Sequence, residues 1–248
     1  MTRVAVAGFL HEACLHAPSR FCSLRRPMLL LLLAPLLALL PPSAAAAPAS
    51  PSPVPDSTQS YYARKDAAAL RRLLRNADTR AERLLCRYRL YPLTEDERYL
   101  NDLPETLDPD ASARELALLS GLWGYRAAHA SVFGAMQAGR RSMQLLEKAR
   151  EKDADDPFVL LIGGQSLLFR PALAGGSDET ALARFRRLRR VLGSRPDADA
   201  VAASEAALWT WYALRETDRP DAANALRRKL AERDLPPLYR EFLKHPPG

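Results

Sequence analysis

The chain of 248 residues has little of the chemistry that marks most enzymes and metal proteins. It contains three cysteines and four histidines, and only Cys86, His129 and His245 lie beyond residue 46. No two of these stand at the spacing of metal ligands, so the sequence predicts no metal site. The nucleophile and phosphate-loop signatures of common enzymes are also absent. We therefore expect a non-enzymatic protein without a cofactor, in which the lone Cys86 is a core residue.

The first 46 residues have the composition of a secretory signal peptide. Arg25 and Arg26 precede an apolar run at 29–40, and small residues follow at 43–47. An apolar run of twelve residues is too short to cross a hydrocarbon core of about 30 Å. We therefore expect export, no transmembrane span in the mature protein, and a location in the periplasm of a Gram-negative bacterium. Residues 1–23 exceed an ordinary signal n-region, which favours a true start near Leu24.

The charge of the chain is modest once this segment is set aside. Residues 1–46 hold four arginines and one glutamate, so the remainder carries a net charge of +4 rather than +7. A balance this mild does not indicate a nucleic-acid partner. The next residues, 47–56, are rich in proline, serine and alanine, which predicts a disordered linker.

Beyond residue 56 the chain has the pattern of successive amphipathic helices. Apolar residues recur three and four positions apart, and no segment alternates with period two, which predicts an all-α domain over residues 57–244. Caps and prolines give the expected helix bounds. These are 57–75, a helix capped by Asp78 that ends before Pro92, a short one after a Thr94–Glu97 capping box, 111–129 capped by Asp110, 134–152, 157–169, 178–192, 198–216, one opened by Asp218, and a closing helix from Pro236.

The centre of the chain, residues 155–193, shows this pattern most clearly. Asp156 can cap a helix whose first residue is Pro157. A Gly163–Gly164 pair inside that helix costs about 1 kcal/mol per glycine relative to alanine. We therefore expect a second helix to pack closely on the bare backbone of the two glycines.

A glycine-rich bend connects the two central helices. Gly175 and Gly176 predict at least one residue at positive φ, and Ser177 or Asp178 can cap the helix that follows. Arg170 and Ser177 flank the bend and offer hydrogen-bond donors beside a helix N-terminus. Two interpretations stay open: the bend is only a connector, which we favour, or these residues belong to a binding site.

The junction at residues 149–160 resembles that between two tetratricopeptide repeats (TPRs). In that family a small residue closes helix B of one repeat, an acidic turn follows, and a large residue opens the next helix A. Leu160 and Ala154 depart from the usual tryptophan and proline. The resemblance implies antiparallel helix pairs stacked as a right-handed α-solenoid. The matched positions are Ser142, Leu146, Ala149, Gly164, Leu167, Ala181 and Phe185.

The TPR resemblance also implies a function, because TPR proteins usually bind through the concave surface of successive A helices. The corresponding residues stand four apart and so share one helical face. The implied protein is a scaffold that binds another envelope protein or a peptide, unless Phe169 and Trp211 are simply core residues. The groove positions are Tyr125 and His129, Gln165 and Phe169, and Trp211 and Arg215.

The long bend supports an alternative function. The loop between the two central helices is about five residues longer than the corresponding loop of a TPR. The run GGSDETALARF follows. This run resembles the TPR-like periplasmic component of TRAP transporter systems. That resemblance implies a small-molecule solute-handling accessory of a transporter.

The signal peptide gives the first testable prediction. Cleavage after Ala45 or Ala46 fits the small-residue pattern, since Pro48 disfavours cleavage after Ala47. We expect protein isolated from the envelope fraction to begin at Ala46 or Ala47, as determined by N-terminal sequencing and intact mass. An isolated protein that retains residues 29–40 would contradict the prediction.

Overall fold

The computed structural model describes residues 58–194 and 201–247. Every regular element within these ranges is helical and no strand occurs there, which confirms the all-α class. The predicted signal peptide and linker, and the predicted chain break at Pro196, lie outside these ranges. The α-helices are α1 (Thr58–Ala63), α2 (Ala67–Arg75), α3 (Arg80–Thr94), α4 (Ala113–His129), α5 (Val132–Lys152), α6 (Pro157–Phe169), α7 (Asp178–Ser194), α8 (Ala203–Glu216), α9 (Pro220–Ala231) and α10 (Pro237–Lys244), and 3₁₀ turns form at Glu97–Leu100 and Ala172–Ala174.

Side-chain caps fix where several helices begin, although not always at the predicted residue. Asp156 accepts hydrogen bonds from the backbone N–H groups of Phe158 and Val159, so α6 begins as predicted. Thr79 and Ser112, rather than Asp78 and Asp110, cap α3 and α4, each in a capping box with a glutamate three residues later. Such a box satisfies two backbone donors that would otherwise lack partners, which favours it over a lone aspartate.

Two predicted bounds near the N-terminal end of the domain are wrong. The expected helix at 57–75 is broken into α1 and α2, because Lys65 adopts a positive φ of 62° and Asp66 caps α2 through the Ala69 N–H. The helix expected to end before Pro92 continues to Thr94. Pro92 lies in the last turn, where it removes a single backbone hydrogen bond, and the Thr94 hydroxyl donates to the Leu90 carbonyl oxygen at 2.9 Å.

Helices close in sequence pack against one another. α4 packs on α5, α6 on α7 and α8 on α9, while α4 also packs on α6 and α7 on α8. The first pair is antiparallel: two residues connect α4 to α5, and Ser120 and Ser142 exchange hydrogen bonds between hydroxyl and carbonyl groups at 2.8 and 2.9 Å. α4 and α6 run parallel, since Arg114 near the start of α4 contacts the cap residue Asp156 at 3.4 Å.

The glycine pair in α6 lies directly against side chains of α7, which confirms the expected contact. A Cβ on Gly164 would stand 2.5 Å from ring atoms of Phe185, a fully buried side chain of α7. A Cβ on Gly163 would collide with the guanidinium of Arg184. The two glycines thus make room for two consecutive side chains of the neighbouring helix.

Alanine at these two positions should have different effects on stability. Gly164→Ala forces a buried aromatic ring to move, and overpacking of this kind costs about 1–3 kcal/mol. Gly163→Ala meets only the mobile end of an arginine, so the gain in helix propensity, about 1 kcal/mol, offsets most of the clash. Urea denaturation should show Gly164→Ala to be the less stable variant. The reverse order would contradict this account of the packing.

Candidate functional site

The groove residues predicted on α4 and α6 contact side chains of α3. The ring of Tyr125 stacks on Tyr88 with centroids 5.5 Å apart and lies 4.9 Å from Tyr91. The exposed His129 meets the same Tyr91 ring edge-on at 5.7 Å. The Tyr88 hydroxyl donates to the Gln165 side-chain oxygen at 2.8 Å. This face of α4 and α6 is therefore occupied by α3 of the same chain.

Phe242 of α10 packs against α8, beside groove residues predicted on α6 and α8. Phe169 stacks on Tyr212 at 6.2 Å, and Phe242 contacts that same tyrosine. Trp211 is buried and lies 6.3 Å from Phe242. The exposed Arg215 places its guanidinium over the Trp211 ring at 5.4 Å. These three predicted residues therefore also make contacts within the chain.

The glycine-rich bend is held by its own backbone. Gly175 has a φ of 89°, which confirms that one residue of the pair is at positive φ. A Cβ on Gly176 would collide with the Arg170 carbonyl oxygen. The Ser177 hydroxyl caps α7 through the Thr180 N–H at 3.2 Å, and its backbone N–H donates to Leu167.

Arg170, which flanks the bend, is also engaged within α6. Its Nη2 donates to the Ser166 hydroxyl at 2.6 Å. Partial burial lowers the pKa of Arg170 from its ordinary value. The four residues predicted at this loop therefore build the turn itself, and their contacts agree with a connector.

A buried ion pair between Arg89 of α3 and Glu205 of α8 is a feature that the sequence analysis did not identify. The two guanidinium Nη atoms donate to the two carboxylate oxygens at 2.6 and 2.9 Å. The side chains are 1% and 5% exposed. A usable signal was present: each charged residue stands inside an apolar run, RYRLY on α3 and EAALW on α8. Charged residues are almost never fully buried unless they are paired.

Aromatic residues surround this ion pair. The Arg89 guanidinium lies 4.3 Å from the Tyr62 ring and 5.4 Å from the Phe158 ring. The Tyr239 hydroxyl donates to a Glu205 oxygen at 3.5 Å. Burial raises the pKa of Tyr62 to about 12, so its hydroxyl stays neutral at physiological pH. Burial by itself lowers the pKa of Arg89, but the charge and hydrogen bonds of Glu205 outweigh it and raise that pKa.

The described residues offer little for covalent or metal chemistry. No group of histidine, cysteine and carboxylate side chains there could hold a metal ion. Burial raises the pKa of the Cys86 thiol to about 11, so the described thiol is protonated at neutral pH. The Arg89–Glu205 pair is enclosed by side chains from five helices.

One open candidate site is a cleft between α2, α3 and the 3₁₀ turn Glu97–Leu100, with a volume of about 420 Å³. Four arginines and a single aspartate line it, together with one apolar side chain, so its surface is positively charged. We call it the arginine cleft. Its lining residues are Arg71, Leu74, Arg75, Arg87, Arg98, Tyr99, Asn101 and Asp102.

Hydrogen bonds hold most of the arginines of this cleft in place. Arg87 donates to the carbonyl oxygens of Tyr99 at 2.9 Å and Asn101 at 2.5 Å. Arg71 donates to the Tyr99 hydroxyl at 3.2 Å, and Arg98 pairs with Asp96 at 2.6 Å. Burial lowers the pKa of Arg87, against the opposing charge of Asp102. Arg75, the last residue of α2, is exposed.

Comparison with family models, with curated proteins and with solved structures finds no match for this chain. In residues 58–194 and 201–247, no helix combines the length and the apolar character needed to cross a bilayer.

Breaking the buried ion pair should destabilise the protein strongly. Arg89→Met leaves the Glu205 carboxylate buried without its counter-ion, which costs about 3–5 kcal/mol. The double variant Arg89→Met/Glu205→Leu removes both charges and should recover most of that loss. The free energy of unfolding, measured in urea for both variants, tests this. Equal losses in the two variants would show that the charges are not coupled.

Proposed function

We propose that the chain is a non-enzymatic, TPR-like binding protein of the bacterial envelope, exported by the signal peptide at residues 1–46. Its helix pairs stack as a right-handed α-solenoid. Support comes from the TPR-like junction at residues 149–160, from the antiparallel contact of α4 with α5, and from the parallel course of α4 and α6. The protein acts without metal or cofactor and binds another envelope protein or a peptide.

One observation supports a binding site other than the A-helix groove. The residues expected to line that groove contact α3 and α10 of the same chain. The arginine cleft is open, and four guanidinium groups line it. We therefore assign the ligand to this cleft.

The chemistry of the cleft favours a carboxylate ligand. A guanidinium presents parallel N–H donors that match a carboxylate, and Arg87 is already oriented by two backbone carbonyls. Arg75 at the rim can pair with a second acidic group. The N–H groups of Arg87 and Arg98 that do not bond Tyr99, Asn101 or Asp96, together with those of Arg75, can bind a partner segment with acidic side chains or a free chain terminus.

A small solute is the second candidate, and the size of the cleft favours it. A volume of about 420 Å³ lies within the range of small-molecule pockets. Leu74 and the Tyr99 ring add apolar surface beside the arginines. In this case the protein is the TRAP-associated type of accessory, and its solute carries a carboxylate.

Substitution of a rim arginine tests the site. Arg75→Gln removes one charge-assisted contact, worth about 1.5–3 kcal/mol, which corresponds to about tenfold or more in affinity. Arg72→Gln on the same helix, outside the cleft, is the matched control. Tagged wild-type and variant proteins are used to capture partners from an envelope extract, which mass spectrometry identifies. We expect Arg75→Gln alone to lose the partner, with the melting temperature unchanged in both variants.

Several outcomes would contradict the proposal. Equal partner recovery with Arg75→Gln and wild type would refute the cleft as the site. Recovery of the protein from the cytoplasm alone would refute export. A rise in melting temperature with small carboxylates, lost in Arg75→Gln but kept in Arg72→Gln, would favour the solute over the protein partner.

A further inference from the structure

One edge of the α4–α7 region gathers the turns that follow α4 and α6. The parallel course of these helices is fixed by Arg114 and Asp156 at their starts. At mid-helix a Cβ on Gly121 would stand 3.3 Å from Ile162. The C-terminal ends of α4 and α6 therefore lie side by side. The α4–α5 turn and the bend after α6 project from the same edge.

Large apolar side chains are exposed at this edge. Val132 and Phe133, at the start of α5, are 75% and 85% exposed, and Met136 one turn later is 54% exposed. Leu173, in the bend after α6, is fully exposed. Met143 is the remaining exposed large apolar residue of the described chain, and it lies seven residues further along α5. The exposure of such residues is thus concentrated at one edge.

The same edge has no acidic residues of its own. Residues 116–146 and 157–177 contain no aspartate or glutamate. They do contain basic residues, among them the exposed Arg126 on α4 and Arg140 on α5. Glu105 from the loop before α4 pairs with Arg141 at 2.7 Å, and Glu179 after the bend pairs with Arg219 at 2.9 Å. The carboxylates of Glu105 and Glu179 are therefore neutralised, while the half-buried Asp178 begins α7 directly after the bend, so arginines outnumber acidic residues at this edge.

We propose that this edge docks on an anionic lipid surface. Phe133 and Leu173 enter the interface between the lipid headgroups and the acyl chains. Val132 and Met136 lie against the headgroup region around them. Arg126 and Arg140 contact the lipid phosphates. Exposed apolar side chains with arginines beside them are suited to an anionic bilayer. Its fluid surface accommodates separate apolar side chains, and its negative headgroups attract the arginines. A protein partner would need a continuous complementary surface, and these tips stand on two separate turns.

Sedimentation with vesicles tests the proposal. The protein is purified in the form that the cells produce, so wild type and variants share the same N-terminus. We expect binding to vesicles of phosphatidylcholine mixed with phosphatidylglycerol, and weaker binding to phosphatidylcholine alone or in high salt. Phe133→Ser should weaken binding about tenfold or more, because it removes a large buried apolar surface. Arg140→Ser should weaken binding about fivefold.

Two matched control variants test whether vesicle binding depends on this edge or on any exposed apolar or basic residue. Met143→Ser removes an exposed apolar residue about 10 Å further along α5, and Arg72→Ser removes an exposed arginine of α2. Both should bind vesicles as wild type does. Phe133→Trp adds a reporter, whose emission should shift to shorter wavelength when the anionic vesicles are added.

Other results would overturn the proposal. It fails if wild-type protein does not sediment with the anionic vesicles, or if Phe133→Ser binds as well as Met143→Ser. It also fails if Phe133→Ser loses an envelope protein in the capture experiment while vesicle binding is absent, since the edge then serves a protein partner. Circular dichroism on every variant checks that the helices remain folded.

Discussion

The buried pair of Arg89 and Glu205 is the constraint on which the arrangement of the helices depends. Its two side chains are 116 residues apart in sequence and come from α3 and α8. A buried ion that loses its partner costs several kcal/mol, so the protein cannot place either helix without the other. Tyr62 of α1 and Tyr239 of α10 complete the shell around the pair. Lys65, in the turn after α1, then pairs with Glu241 of α10 at 2.6 Å. The first and last helices of the domain are thereby fixed together.

The contact between the first and last helices changes which surfaces are available to a partner. α3 crosses the predicted ligand-binding face of α4 and α6. The Tyr88 ring of α3 lies so close to Gly121 of α4 that a Cβ on Gly121 would stand 2.6 Å from the ring. α10 covers α8 through Phe242. Because aromatic contacts of this kind contribute both burial and specific geometry, the cover is an integral part of the core. Binding is then best sought at the arginine cleft and at the α4–α7 edge, which the chain leaves open.

Much of the fold could be predicted from local sequence, because its signals act over a few residues. Asp156 and Pro157 gave the start of α6, the glycine pair gave the contact with α7, and Gly175–Gly176 gave the positive φ. The break at Lys65 was missed, since the competing cap at Asp66 leaves the apolar spacing intact. The Arg89–Glu205 pair and the arginine cleft were missed for another reason. The ion pair joins residues 116 apart in sequence, and the cleft depends on how three consecutive elements within residues 71–102 fold against one another. Helical periodicity carries no information on either arrangement.

The ion pair also restricts how many helix pairs can lie between α3 and α8. In an open repeat array each unit contacts only its neighbours, so units can be added or lost with roughly additive effects on stability. Here Arg89 of α3 pairs directly with Glu205 of α8, beside Phe158 in the first turn of α6. An extra helix pair between α3 and α8 would separate the two charges and leave both buried without partners, at a cost comparable to a large part of a domain's total stability. A buried charge pair therefore fixes the number of helix pairs between α3 and α8, a constraint that apolar contacts between neighbouring helices do not impose.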